Sequence, residues 1–297
     1  SWNVTVERRL PLDISLSTAY VGTRTDRGFA YQDINAGEPG RGAAGRPYFA
    51  QFGHQASIQW FGGITRSNYH SLQLAVNRPF KNGLLLKGAY TFAKAMNMTD
   101  DDGWAGLSWN TADTFERNYA RAGFDRPHVF QMGFVYELPF GRERSGVLAS
   151  IIRNWQVNGI FARYSGTPFT VTTSATSLNA PGNTQTADIV GEIRKVGDIG
   201  PGVNYYDPSA WATVTEARYG TTGRNSVRGP RATRLDLSVF RGFQVGRRRL
   251  EARVEAFNLT NTPQFNNPAA NVTGANFMQI TSATGERNVR VGLRFAF

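Results

Sequence analysis

The chain contains no cysteine, which removes disulfide frameworks, thiolate metal sites and cysteine nucleophiles together. It also has nothing near the roughly 18 consecutive apolar residues that a membrane-crossing helix needs. The longest apolar piece, near Gly146–Ile152, is a fraction of that. A spanning helix is excluded; a spanning barrel is not, because alternating strands average to a polar composition. Histidine is scarce: His54, His70 and His128 stand alone in the sequence, and each reads as a structural residue rather than a ligand or a base. Asp100-Asp101-Asp102-Gly103 lacks the spacing of a calcium loop and reads as an exposed acidic loop tip, so no metal or cofactor is expected. The opening Ser1-Trp-Asn-Val-Thr-Val carries no basic or apolar leader pattern, and the expectation is a mature or a partial chain.

What is present is 297 residues, 40% hydrophobic and 12% aromatic, with 32 glycines and a net charge of +11. That length is enough to bury a core. The positive charge invites a nucleic-acid reading, which the positions oppose. Arg8-Arg9, Arg142, Arg144, Arg153 and Arg247-Arg248-Arg249 fall at breaks between alternating runs, not on one face of one element. Basic strand ends suit anionic headgroups on either membrane face, with ordinary solvated turns as the alternative.

The alternation is the dominant pattern. From Val289 onward, Val289, Val291, Leu293, Phe295 and Phe297 occupy one side, opposed by Arg290, Gly292, Arg294 and Ala296. The same two-residue period recurs along the chain. It is found at Trp2–Val6, Ile14–Tyr20, Leu72–Val76, Leu84–Phe92, His128–Phe140, Trp155 to about Thr170, Leu235–Phe243 and Leu250–Ala256. Asn82-Gly83 is a strong hairpin dipeptide. The connector 142–152 reads as a short helical turn. Long polar loops are expected over 26–66, 97–125, 171–231 and 258–286, and each alternates with a short turn. A soluble sandwich has no reason to sort its loops this way, whereas outer-membrane barrels have short periplasmic turns and long extracellular loops. The expected fold is therefore all-β, an antiparallel transmembrane β-barrel with roughly nine strands present. If the terminus is periplasmic, an odd count leaves Ser1 on the extracellular side. That predicts a barrel whose N-terminal portion is not in this sequence.

Six stretches taken in order resemble the TonB-dependent outer-membrane transporters, in particular the Oar-like group. They are Ser67-Asn-Tyr-His-Ser-Leu-Gln-Leu74, Asn82-Gly83 through Tyr90-Thr-Phe-Ala-Lys94, Asp125-Arg-Pro-His-Val-Phe130, Tyr136-Glu-Leu-Pro-Phe-Gly141, Arg218-Tyr-Gly-Thr-Thr-Gly-Arg-Asn-Ser-Val-Arg-Gly-Pro230 and Glu255-Ala-Phe-Asn-Leu-Thr-Asn261. The terminal Arg290, Gly292, Phe295 and Phe297 are similar to the signal by which the barrel-assembly machinery recognises such proteins. The resemblance implies a barrel of about 22 strands with a plug inside and an N-terminal segment that engages the TonB complex. Residues 1–297 would then be the C-terminal part of one barrel domain, with no plug. Outer-membrane lipid, lipopolysaccharide and an unidentified transported ligand are the other expected partners.

Among candidate site residues, Arg234 and Asp236 on one strand and Glu251, Arg253 and Glu255 on the next are expected to form a lumen-facing charge ladder. Tyr205, Tyr206 and Trp211 are candidates for ligand capture at the surface, with packing of the loop onto itself as the alternative. Two other readings stand beside the transporter. One is a small outer-membrane hydrolase, which needs a histidine partnered by Ser or Asp; the other is a surface adhesive β-protein.

Overall fold

Alternating side chains favour extended backbone because successive residues then point to opposite faces. The computed structural model describes residues 1–296 except 101–105, 142–145, 147–151, 201 and 247. Asp101, Asp102, Gly103, Arg142, Arg144, Arg247, Phe297 and all but Ile152 of the expected helical connector Val147–Ile152 thus lie outside the described residues.

Nine strands form one antiparallel meander in chain order: β1 (Trp2–Leu10), β2 (Ile14–Asp33), β3 (Gln59–Lys81), β4 (Leu84–Asn97), β5 (His128–Glu137), β6 (Trp155–Tyr164), β7 (Ala232–Val245), β8 (Arg248–Phe257) and β9 (Asn288–Ala296). A two-residue strand, Ala120–Arg121, adds to the end of β4. β1 pairs only with β2 and β9 only with β8, so the sheet keeps two open edges.

The register places directly opposed residues on one face. The row Val6, Thr18, Leu74, Tyr90, Phe130 runs across β1 to β5, and the row Leu237, Ala256, Val289 runs across β7 to β9. This apolar face is uncovered: Val291 is 78% and Leu293 75% exposed. The large buried apolar residues lie instead in the connections, where Phe169, Val171, Tyr205, Tyr206, Trp211, Val227, Phe277 and Met278 form a core. A soluble sheet protein buries its strands and exposes its loops. Here the arrangement is reversed, as a lipid solvent requires.

Connections fall at 11–13, 34–58, 82–83, 98–127, 138–154, 165–231, 246–247 and 258–287, shorter and longer in turn. The hairpin at Asn82 (φ 52°) and Gly83 (φ 79°) has the two positive-φ residues of the twist-matched two-residue turn. Two expectations need correction. The loop expected over 26–66 is shorter, because β2 and β3 stay paired across register shifts around Gly28 and reach 20 and 23 residues. About ten residues cross a membrane, so these strands project well beyond it, where no solvent boundary imposes alternation. The strand expected to run to about Thr170 ends at Tyr164; Pro168–Phe169 turns away to pair with Val227–Arg228.

Candidate functional site

Arg234, Asp236, Glu251, Arg253 and Glu255 share the polar face of β7 to β9 by register. Glu251 stands opposite Arg294, Arg253 opposite Gly292 and Glu255 opposite Arg290. Along the strands, Arg249–Glu251 and Arg253–Glu255 approach to 3.7 Å, and Arg234 donates to Asp236 at 2.8 Å. Asp236 also accepts the backbone N–H of Asn258 at 2.7 Å, tying the ladder to the start of the last long connection. A Cβ on Gly292 would fall 2.8 Å from Arg253 Nε, so the glycine leaves the space that the arginine side chain occupies. Phe240 opposite Arg253, and Phe257 beneath the Arg290 guanidinium at 5.1 Å, interrupt the charges. Arg241 breaks the apolar row of β7, and its guanidinium lies over the rings of Phe243 (4.1 Å) and Trp155 (5.2 Å).

At the other end, the four long connections are not separate. Arg224, nearly buried, donates to Asn97 O (2.6 Å), Asn118 O (2.9 Å) and Asp100 Oδ2 (3.1 Å). Arg228 donates to Asp125 Oδ2 (2.7 Å) and to the carbonyls of Asp125 and Gly166 (both 2.8 Å). Arg117 donates to Gly220 O at 2.6 Å and lies over Trp109, which is fully buried and gives its own Nε1–H to Thr184 O at 3.0 Å. These contacts strap 165–231 to 98–127. The first connection joins through backbone bonds from Gly37, Gly40 and Gly42 to Pro181, Leu178 and Asn179, the fourth through Thr172 to Ala270 and Tyr205 to Met278. The five planar N–H donors of one arginine match several carbonyls at once, which a lysine cannot do.

Electrostatics follow from this packing. Burial pushes the Arg224 guanidinium below its ordinary value. The Arg218 guanidinium, at 2.6 and 3.0 Å, holds the Asp188 carboxyl below the usual range. Ser209 and then Arg194 do the same for Asp207. Burial raises the Tyr206 phenol.

Tyr205 (6% exposed), Tyr206 (7%) and Trp211 (4%) lie inside this cap. Of their two sequence readings, packing of the loop onto itself matches that burial. Tyr206 donates to Arg228 O at 2.8 Å and stands edge-on to Tyr205 and Trp211. Asp100, the described residue of the expected acidic tip, is exposed, and its other oxygen accepts Gly123 N–H at 2.6 Å. Two of the three histidines are not isolated either. Tyr20 OH meets His70 Nδ1 at 2.8 Å, and Tyr90 OH meets His128 Nδ1 at 2.7 Å. The straps went unread in sequence because an arginine in a polar loop has no period. The only available signal was the density of arginines in Arg218–Pro230.

The family model described as Outer membrane beta barrel domain matches residues 1–290. The chain belongs to the outer membrane beta barrel domain family. Its place is accordingly the cell outer membrane. Among solved structures the barrel is similar to the outer membrane transporter YddB from Escherichia coli, at 8% identity and a TM-score of 0.53, covering 98% of this chain and 31% of that one. It is also similar to the pyoverdine outer membrane receptor FpvA from Pseudomonas aeruginosa PAO1 bound to pyoverdine, at 12% identity and a TM-score of 0.50, covering 99% of this chain and 29% of that one. The chain thus spans about a third of the length of these solved chains, and at such identity the likeness is one of fold. No curated protein matches it.

Proposed function

We propose that the chain is the C-terminal barrel portion of a TonB-dependent outer-membrane receptor of the Oar-like group, which takes up a ligand in an energised step. The observation that carries the reading is the fusion of all four long connections into one arginine-strapped cap at one end of an open nine-strand sheet. A membrane anchor alone needs no such cap. A receptor does, because its surface must present a fixed shape to a ligand. In this reading the cap is extracellular, the short turns are periplasmic, and the ladder of Arg234, Asp236, Glu251, Arg253 and Glu255 faces the lumen against a plug. The open edges of β1 and β9 pair with strands of a longer polypeptide, and Tyr205, Tyr206 and Trp211 hold the ligand-presenting surface in shape from within. Arg290, Gly292, Phe295 and Phe297 serve recognition by the assembly machinery.

The hydrolase reading draws no support from the imidazoles of His70 and His128, whose Nδ1 atoms meet tyrosine hydroxyls; Ser165 reaches only the backbone of His128. The intact protein, purified from outer membranes, is expected to bind the periplasmic domain of TonB. Absence of binding, in the presence of a folded barrel, overturns the receptor reading.

A further inference from the structure

A cavity of about 480 Å³, which no ladder residue lines, lies between the cap and the polar face of β2, β3 and β4. Thr23, Tyr69 and Ala95 stand directly opposed across these strands, and Thr25, Ser67 and Asn97 form the next row on the same face. Followed strand by strand, the register places both rows on the face that carries Glu251, Arg253 and Glu255. Met98, Ala122 and Phe124 of the second long connection close the cavity from the cap side, and Phe29 in the upper part of β2 completes the lining. Its volume falls in the range of about 300–1,000 Å³ that small-molecule sites occupy.

The cavity offers hydroxyls and rings but no unspent charge. Arg66 and Asp100 are the charged lining residues among those described. Arg66 donates to both oxygens of Glu116, at 3.0 and 2.5 Å. Asp100 accepts from Arg224 at 3.1 Å, from the Gly123 N–H at 2.6 Å and from the Asn97 side-chain amide at 3.0 Å. An ionised ligand group would lose water here and find no counter-charge. The hydroxyls of Thr25, Ser67 and Tyr69, by contrast, have no hydrogen-bond partner among the described residues, and each can donate and accept at once. Phe29 and Phe124 remain 60% and 63% exposed although both line the cavity. Stacking on Phe61 at 5.2 Å fixes Phe29, so its ring is in place before anything binds. Wet rings beside unspent hydroxyls complement a molecule that has apolar C–H faces and a fringe of hydroxyls.

We infer that this cavity binds a neutral saccharide, with Thr25, Ser67 and Tyr69 meeting its hydroxyls and Phe29 and Phe124 covering its sugar rings. A saccharide here is the ligand class of the proposed receptor, so the assignment rests on that reading.

The test uses the intact protein extracted from outer membranes in a detergent without sugar headgroups, titrated calorimetrically with maltotriose, cellotriose and xylotriose. At least one of them is expected to bind, and anionic trigalacturonate to bind roughly tenfold more weakly. Phe124→Ala should weaken binding roughly tenfold and Tyr69→Phe roughly fivefold. Lys94→Gln, on the opposite face of β4, should leave it unchanged. Heat-modifiable migration on gels verifies that each variant is folded; should Phe124→Ala not fold, Tyr69→Phe, which keeps the ring, decides alone. Failure of all three neutral trisaccharides to bind overturns the inference, as does wild-type affinity in the variants or equal binding of trigalacturonate. The titration needs no TonB, so the two readings fail separately. A protein that binds the periplasmic domain of TonB but no saccharide refutes the site alone, and one that binds saccharide but not TonB refutes the receptor reading alone.

Discussion

Arg224 joins three segments through one side chain, donating to the carbonyls of Asn97 and Asn118 and to the side chains of Asn97 and Asp100. Arg224→Ala is expected to cost on the order of 3 kcal/mol of cap stability. It should open 165–231 to limited proteolysis while the strands stay heat-resistant on gels. Arg224→Lys should rescue little of this, because one ammonium cannot span Asn97, Asn118 and Asp100 together. Asp188 and Asp207 make the same cap sensitive to acid. Both folded-state values lie below the free carboxylate value, so their contribution is complete above about pH 4 and is lost as pH falls through the depressed values. Proteolysis rates of the cap should be flat from neutral pH down to about pH 4 and rise below it. A rise already at pH 6 would point to a group other than these two.

At the scale of the strand, β9 separates its faces sharply. Leu293 is exposed on the apolar side, while Arg290 and Arg294 lie opposite Glu255 and Glu251. Leu293→Arg places a charge in the lipid band and should cost about 2–4 kcal/mol of folding free energy, measured by denaturant titration in vesicles. Arg294→Leu, on the other face, should cost far less, because it removes one half-exposed ladder pair. Equal costs would mean that the faces are wrongly assigned. The proposed assembly signal is tested by deleting Phe297. The shortened protein should accumulate unassembled in the periplasm, and a normal heat-modifiable barrel in the outer membrane would refute the signal.

For the whole molecule, cap and wall obey different solvents. The wall keeps its apolar residues outside and relies on ladder hydrogen bonds, whereas the cap buries a core of its own in water. The four connections should therefore open as one unit in hydrogen exchange. Arg228→Ala should raise exchange around Asp125 and around Gly166 together, since one guanidinium holds both. Faster exchange at only one of them would show that the connections move independently.

The sequence by itself determined the wall. Val289 to Phe295 and Leu84 to Phe92 alternate because one face meets lipid and the other does not, and a two-residue period survives in the residue order. Asn82-Gly83 marked its turn because few residues accept two successive positive φ values. The extension of β2 and β3 past Asp26 was not legible, since above the membrane both faces meet water and nothing enforces alternation. Tertiary structure alone decided the cap and the two Tyr–His pairs. The partners of Arg224 lie more than a hundred residues away, and the two Tyr–His pairs are diagonal neighbours across strands whose registers differ. Such contacts depend on which loop folds over which and on how strands align, and neither quantity leaves a periodic trace along the chain.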